Sequence, residues 1–158
     1  MKKGIGIFLL TPIACLALQA NAATNQVSWT GYVVTTKLGE KTTLPNGTVI
    51  MVGVQNHASI IDDKTGEQSS QWCNYDLWLD EKGASTFMVG HCTLFLDNGD
   101  VLTASIAGTT QDKPIAWAAL GGTGKYLGVT GSGTSKMVSA RSDGYADTWK
   151  VTGTLTTK

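Results

Sequence analysis

Two carboxylates in this sequence sit in apolar company. Asp147 lies between Tyr145 and Trp149, and Asp76 lies between Asn74 and Trp78. In an extended chain, residues two apart share a face. Each carboxylate therefore belongs to a stripe: Tyr145, Asp147, Trp149 and Val151 on one strand, and Trp72, Asn74, Asp76 and Trp78 on another. A carboxyl group withdrawn from water has a raised pKa and can act as general acid or base, or anchor a ligand hydroxyl. The tryptophans can stack on a flat molecule while the amide and carboxylate orient it. Each stripe also has a plainer reading. Asp147 can be solvated at a strand end near the Asp143-Gly144 turn, and the Trp72 stripe can be an outer face covered by a neighbouring subunit. His91, on a strand beside Cys92, is a possible proton shuttle or a hydrogen-bonded structural histidine. No serine sits in a nucleophile elbow.

The densest feature of the chain is Gly121-Gly122-Thr123-Gly124-Lys125-Tyr126-Leu127-Gly128-Val129-Thr130-Gly131-Ser132-Gly133, with six glycines in thirteen residues. It does not make a phosphate loop. A Walker-type loop needs glycine where Ala119 stands and a hydroxyl where Tyr126 stands, and the dinucleotide pattern fails at Leu127. Such a run instead fits backbone crowding where a strand turns at a barrel rim. If a cavity opens beside that corner, Lys125 and Tyr126 sit at its mouth.

The start of the chain sets the compartment. Met1-Lys2-Lys3 is basic, residues 4–18 are largely apolar, and Ala20-Asn21-Ala22 fits the small-x-small rule for signal cleavage. Cleavage after Ala22 leaves residues 23–158 as one exported domain, periplasmic or secreted. A cut before Cys15 is the lipoprotein alternative. No later stretch approaches the roughly 20 apolar residues of a membrane helix. Removing Lys2 and Lys3 leaves ten basic against twelve acidic residues with no run of like charge, so nothing suggests a nucleic-acid or anionic-membrane surface. Cys73 and Cys92 are the cysteines of the mature chain, and an oxidising compartment favours a disulfide over a metal pair with His91 and His57. No metal site and no cofactor is expected. The polar run from Asp62 to Glu67 lacks the oxygen-ligand spacing of a calcium loop and reads as a turn.

These residues must be positioned by strands, since no window has a helical period. Val27, Trp29, Gly31 and Val33 alternate with their neighbours, and Thr48 to Val54 follows the turn Leu44-Pro45-Asn46-Gly47. Gln55 to Ser70 is poorly patterned. Gln71 to Leu79, Ala84 to Leu96 and Val101 to Ala107 form a meander through turns at Asp80-Glu81-Lys82-Gly83 and Asp97-Asn98-Gly99-Asp100. A turn at Lys82-Gly83 puts Cys73 opposite Cys92, so register and cysteines support each other. Ile115 to Leu120, Val129 to Ser139 and Tyr145 to Leu155 complete about eight strands, the last two joined at Arg141-Ser142-Asp143-Gly144. The fold expected is all-β, an eight-stranded antiparallel up-and-down barrel, because closure removes exposed edges. A two-sheet sandwich is the alternative.

The segment from Trp117 to Gly133 resembles the Gly-Gly-Thr/Ala-Gly-x-aromatic-x-Gly-x-x-Gly segment of plant allene oxide cyclases and dirigent proteins. The likeness extends more loosely from about Gln71 to Leu155. It implies an eight-stranded barrel with an apolar central cavity, and a possible homo-oligomer, as the plant members are often trimeric. Those proteins cyclise an unstable epoxide or steer coupling of phenolic radicals by holding a reactive conformer, without metal or organic cofactor. The mature chain's three glutamates, Glu40, Glu67 and Glu81, all fall in expected loops, so the cyclases' essential glutamate is not matched. The resemblance carries the fold further than the function.

The function expected is therefore a barrel that binds a small hydrophobic or aromatic ligand through Trp72, Asn74, Trp78, Tyr126, Tyr145 and Trp149. The alternatives are a cofactor-free cyclase or isomerase using Asp147 or Asp76, and an interaction barrel with a solid core.

Overall fold

Alternation along the first strand, β1 (Ala23–Lys37), turns Val27, Trp29 and Val33 to one side, where they join the apolar core. The same period recurs through β3 (Val49–Asp62), β4 (Gln68–Leu79), β5 (Ser85–Leu96), β6 (Val101–Thr109), β7 (Ile115–Gly122), β8 (Thr130–Ala140) and β9 (Ala146–Thr157). A short strand, β2 (Glu40–Thr43), and one turn of 3-10 helix, Gly124–Tyr126, complete the elements. This is a computed structural model describing residues 22–110, 113–141 and 145–158. The expected signal segment, apart from Ala22, and residues 142–144 of the last expected turn lie outside the described residues.

From β3 to β9 each strand pairs antiparallel with the next. β1 then pairs antiparallel with both β9 and β3, closing an eight-stranded up-and-down barrel, and β2 adds to the early part of β3. Two departures from the sequence pattern have a physical cause. The stretch from Gln55 to Ser70 belongs mostly to β3 and β4 rather than to a loop. Its inward members Asn56 and Ala58 are polar and small, so a real alternation carried little apolar contrast. β2 is all polar and exposed, held by pairing Glu40 to Thr43 against Val52 to Val49.

The register separates the two rims. One rim gathers the turns β3–β4 and β5–β6, the connection β7–β8, and the pair Ala23 with Thr157. The other gathers the ends of β1, β4, β6 and β8. The first rim is plugged by a core cluster that includes Val27, Ile60, Leu94, Leu102, Tyr126 and Leu155. Trp117 lies at the heart of that cluster, over the backbone of the paired glycines Gly133 and Gly153. A Cβ at Gly133 would come within 2.8 Å of the indole and one at Gly153 within 2.6 Å, so the ring fits only because both side chains are absent. Its Nε1 donates to the Thr152 carbonyl at 3.1 Å, satisfying the buried donor.

The glycine-rich connection seals this rim rather than opening it. Gly124 takes φ 52° directly against the Asp100 carboxylate, which a side chain at position 124 would strike. That carboxylate accepts the Lys125 N–H at 3.2 Å, and the Thr123 hydroxyl accepts the Val101 N–H at 2.9 Å. Tyr126 is thereby turned into the core. Next to it, Asp62 accepts the N–H groups of Lys64 and Thr65 and the Trp29 Nε1, so the polar run beginning there is a capped turn. Asp63 accepts the Ser28 and Thr30 hydroxyls, each at 2.7 Å, and pairs with Lys150, strapping the turn across β1 and β9.

Cys73 and Cys92 are bonded across β4 and β5, as directly opposed partners with Cα atoms 4.0 Å apart. Replacing both by alanine is expected to cost about 2–3 kcal/mol, because the bond closes a short loop in the unfolded chain. Chemical denaturation of the double variant measures this; an unchanged midpoint contradicts it. A second expectation concerns Asp63. Desolvation pushes its carboxyl up, but the Lys150 contact and the two hydroxyls outweigh this and take it from 3.8 down to about 2. The stability it contributes is therefore full above pH 3.8 and lost as pH falls toward 2. Asp63→Asn should melt lower than the parent at pH 6, with the gap closing at pH 2.

Candidate ligand cavity

Above the plug the barrel is hollow. A cavity of about 460 Å³ opens toward the unplugged rim, where Leu38, Gly83, Ser85 and Thr110 border it. Trp29, Leu94, Leu102 and Trp117 form its floor, and Met51, Val54, Leu77, Met88 and Ile115 its sides. The inward parity of β4 is Cys73, Tyr75, Leu77 and Leu79, so the disulfide itself is part of the wall. Gly90 stands opposite Tyr75 in the register, and its missing side chain leaves the space that the tyrosine uses.

Apart from Gln71, Ser135 and the rim residues Ser85 and Thr110, the polar side chains of this wall form one sector. It is built by four neighbouring strands: Thr35 from β1, Asn56 from β3, Tyr75 from β4, and Asp147 with Trp149 from β9. Thr35 and Asn56 are register partners, and Asp147 pairs with Val33 on the same strand as Thr35. Burial pushes the Tyr75 hydroxyl up to about 12, offset in part by hydrogen bonds from Asn56 and Thr35, with the Asp147 charge adding to the rise. Burial also raises the Asp147 carboxyl above the usual range, and the hydrogen bond from Trp149 opposes it. The wall thus holds a carboxylate that resists ionisation and a phenol that stays protonated.

The residues singled out from sequence divide by parity. Asp147 and Trp149 line the cavity. Trp72, Asn74, Asp76 and Trp78 alternate to the outer surface of β4, because Tyr75 and its partners take the inside. There Trp72 meets His57 with ring centroids 5.8 Å apart, and Trp78 meets Phe87 edge-on at 5.3 Å. The Asp76 carboxylate accepts the Gly53 N–H at 2.8 Å, where β3 bulges and Gly53 takes φ 75°. Tyr126 belongs to the plug, at the rim opposite the mouth, with the Lys125 ammonium 5.2 Å from its ring centroid. The placement of Lys125 and Tyr126 at a mouth is therefore corrected: the glycine run turns inward over the core and closes its end. Tyr145 lies exposed at the open rim, where its carbonyl accepts the Thr35 N–H at 3.0 Å. His91 is exposed on the outer face of β5. Among the described residues no group of three or more His, Cys, Asp or Glu side chains could hold a metal.

Thr35, Asn56 and Tyr75 were not anticipated as site residues. Tyr75 is visible in the sequence on the face opposite Trp72, but alternation alone does not say which face points in. Asn56 lies in the stretch whose strand pattern was weak.

No protein-family model and no curated protein matches the chain. Solved structures do. Two pterocarpan synthase dirigent proteins align with TM-scores of 0.58 and 0.56 at 11% and 12% identity. They cover 85% and 87% of this chain and 96% and 86% of their own. A pyocyanin demethylase aligns at TM-score 0.45 and 19% identity, over 80% of this chain and 99% of its own. At these identities the likeness is one of architecture: an eight-stranded barrel closed by its first strand, the fold of the dirigent proteins.

Proposed function

We propose that this protein is an exported barrel that holds a small hydrophobic or aromatic molecule in its open cavity. The observation that carries this reading is the space itself: about 460 Å³, walled mostly by apolar side chains with a few polar ones among them. Ligand pockets typically enclose 300–1,000 Å³ with a few placed polar groups, whereas packed interiors leave only water-sized voids. An interaction barrel with a solid core would have those side chains filling the centre. Export is supported by the basic and apolar segment before Ala22 and by the bonded cysteines. The two dirigent proteins that share the fold are named as pterocarpan synthases, and a barrel that serves a small molecule accords with that.

Trp29, Trp117 and Trp149 line the cavity, so an occupant contacts three of the five tryptophans. Titration with lipophilic ring compounds should give saturable quenching of tryptophan fluorescence. Silence across a broad library of such compounds removes the reading.

A second reading, a cofactor-free cyclase or isomerase, is favoured by one observation: Asp147 stands in the cavity wall with its pKa raised. A protonated carboxyl there could deliver a proton to a bound molecule and take one back. Asp76 is outside the cavity and has no such access. The Asp147 environment has a measurable signature apart from turnover. Its folded pKa lies above the unfolded 3.8, so the folded state is favoured at low pH, and that advantage is lost as pH rises through the folded value. Asp147→Asn, which keeps an acceptor for Trp149, should therefore melt higher than the parent at pH 7, with the difference closing toward pH 3. A variant that melts lower at pH 7 would show that the carboxylate is stabilised as an ion.

A further inference from the structure

One negative charge faces the cavity without a countercharge. Among the described residues that line it, Asp147 alone carries a charge near neutrality, because Tyr75 stays protonated and no lysine, arginine or histidine is present. Asp147 shares the inward parity of Trp149 and Val151 and is partly exposed, so it is open to an occupant rather than sealed in the wall. Arg141 borders an outer cleft that Asp147 also reaches. Yet burial and the Trp149 hydrogen bond, with no cation beside them, set the carboxyl's affinity for its proton. A carboxylate held in apolar surroundings without a partner is costly. An occupant that brings a positive charge removes that cost.

The neighbours of the carboxyl restrict which cation fits. Trp149 donates a hydrogen bond to it, and the Tyr75 hydroxyl feels its charge, so two aromatic side chains stand beside it. Both pack in one apolar cluster with Val54, Met88 and Ile115. Aromatic rings attract cations, and more strongly where water is excluded. A compact ammonium is strongly hydrated and gives up much on entering such a site. A cation whose charge is spread over a ring, or shielded by methyl groups, gives up less. The hydroxyls of Thr35 and Tyr75 can donate to an anion, but they are neutral, and an anion there would lie beside Asp147 with nothing to offset the repulsion.

We infer that the cavity selects organic cations with an apolar ring body, their charge held between the Asp147 carboxylate and the rings of Trp149 and Tyr75. This rests on the ligand-binding reading of the cavity and adds the ligand's charge to it. Binding involves no covalent step.

Calorimetric titration of the whole mature protein at pH 8 with N-methylquinolinium, 1-methylnaphthalene and 1-naphthoate tests this. The first two have nearly the same shape and differ in one positive charge; the third carries a negative one. N-methylquinolinium should bind at least as tightly as 1-methylnaphthalene, although water holds the cation far better, and 1-naphthoate should bind most weakly. In Asp147→Asn, affinity for N-methylquinolinium should fall about tenfold, the loss of one partly screened charge contact, while 1-methylnaphthalene binds as before. In Asp97→Asn, which removes the same charge at the plugged rim, all three affinities should stay as in the parent. Tighter binding of 1-methylnaphthalene or 1-naphthoate than of the cation by the parent overturns the inference and leaves the binding reading standing. A cation affinity that is unchanged in Asp147→Asn, or that falls as far in Asp97→Asn, takes the selectivity away from Asp147 and also overturns it. Failure of all three compounds to bind removes the binding reading and this inference together. Should Asp147→Asn not fold, the order of the three affinities in the parent still decides.

Discussion

β1 is hydrogen-bonded along both edges, to β9 on one side and β3 on the other, and everything else about the molecule depends on that double pairing. Without it the remaining strands would form a meander with two open edges and no interior. With it, each strand acquires an inside and an outside, and alternation along the chain becomes a division between cavity or core and surface. Closure leaves a cylinder that must be filled or left hollow, and this protein does one at each end. Trp117, resting on the paired glycines Gly133 and Gly153, fills one end with its largest side chain. Among the described residues the other end has no comparable wedge, and they leave the space there open.

The glycines of the densest stretch thus have more than one role. Gly124 supplies the backbone turn that the Asp100 carboxylate braces. Gly133 leaves room for the aromatic ring of Trp117, its register partner on the preceding strand. What reads in the sequence as a flexible run is, in the fold, a place where backbone and rings approach more closely than side chains would allow.

The meander of β4, β5 and β6 was readable because turn chemistry, alternation and cysteine register agreed, and Cys73 does stand opposite Cys92. The barrel followed from the number of strands and the lack of helices. Facing was harder. Alternation assigns residues to two sets but does not name the inner one, and the set with two tryptophans on β4 turned out to be the outer. Tryptophan is apolar enough for the core and amphipathic enough for a surface pair, as Trp72 with His57 and Trp78 with Phe87 illustrate. On β9 the apolar contrast was stronger, and Asp147 with Trp149 was correctly grouped with Val151. Asn56 was hidden for the opposite reason: a polar residue at an inward position weakens the very pattern that would reveal its strand.

The polar sector of the cavity is built on the strands that meet at the closing seam. Thr35, Asn56 and Asp147 come from β1, β3 and β9, which are distant in sequence and held together by the two ladders of β1. A molecule seated against them would act as a cross-tie over the seam. Occupancy and barrel closure are then linked equilibria: an occupant that binds only the closed form holds the seam shut by mass action. Loosening of β1 at the open rim would in turn dissolve that polar surface, with no movement required of the disulfide-bonded pair β4 and β5 beside it.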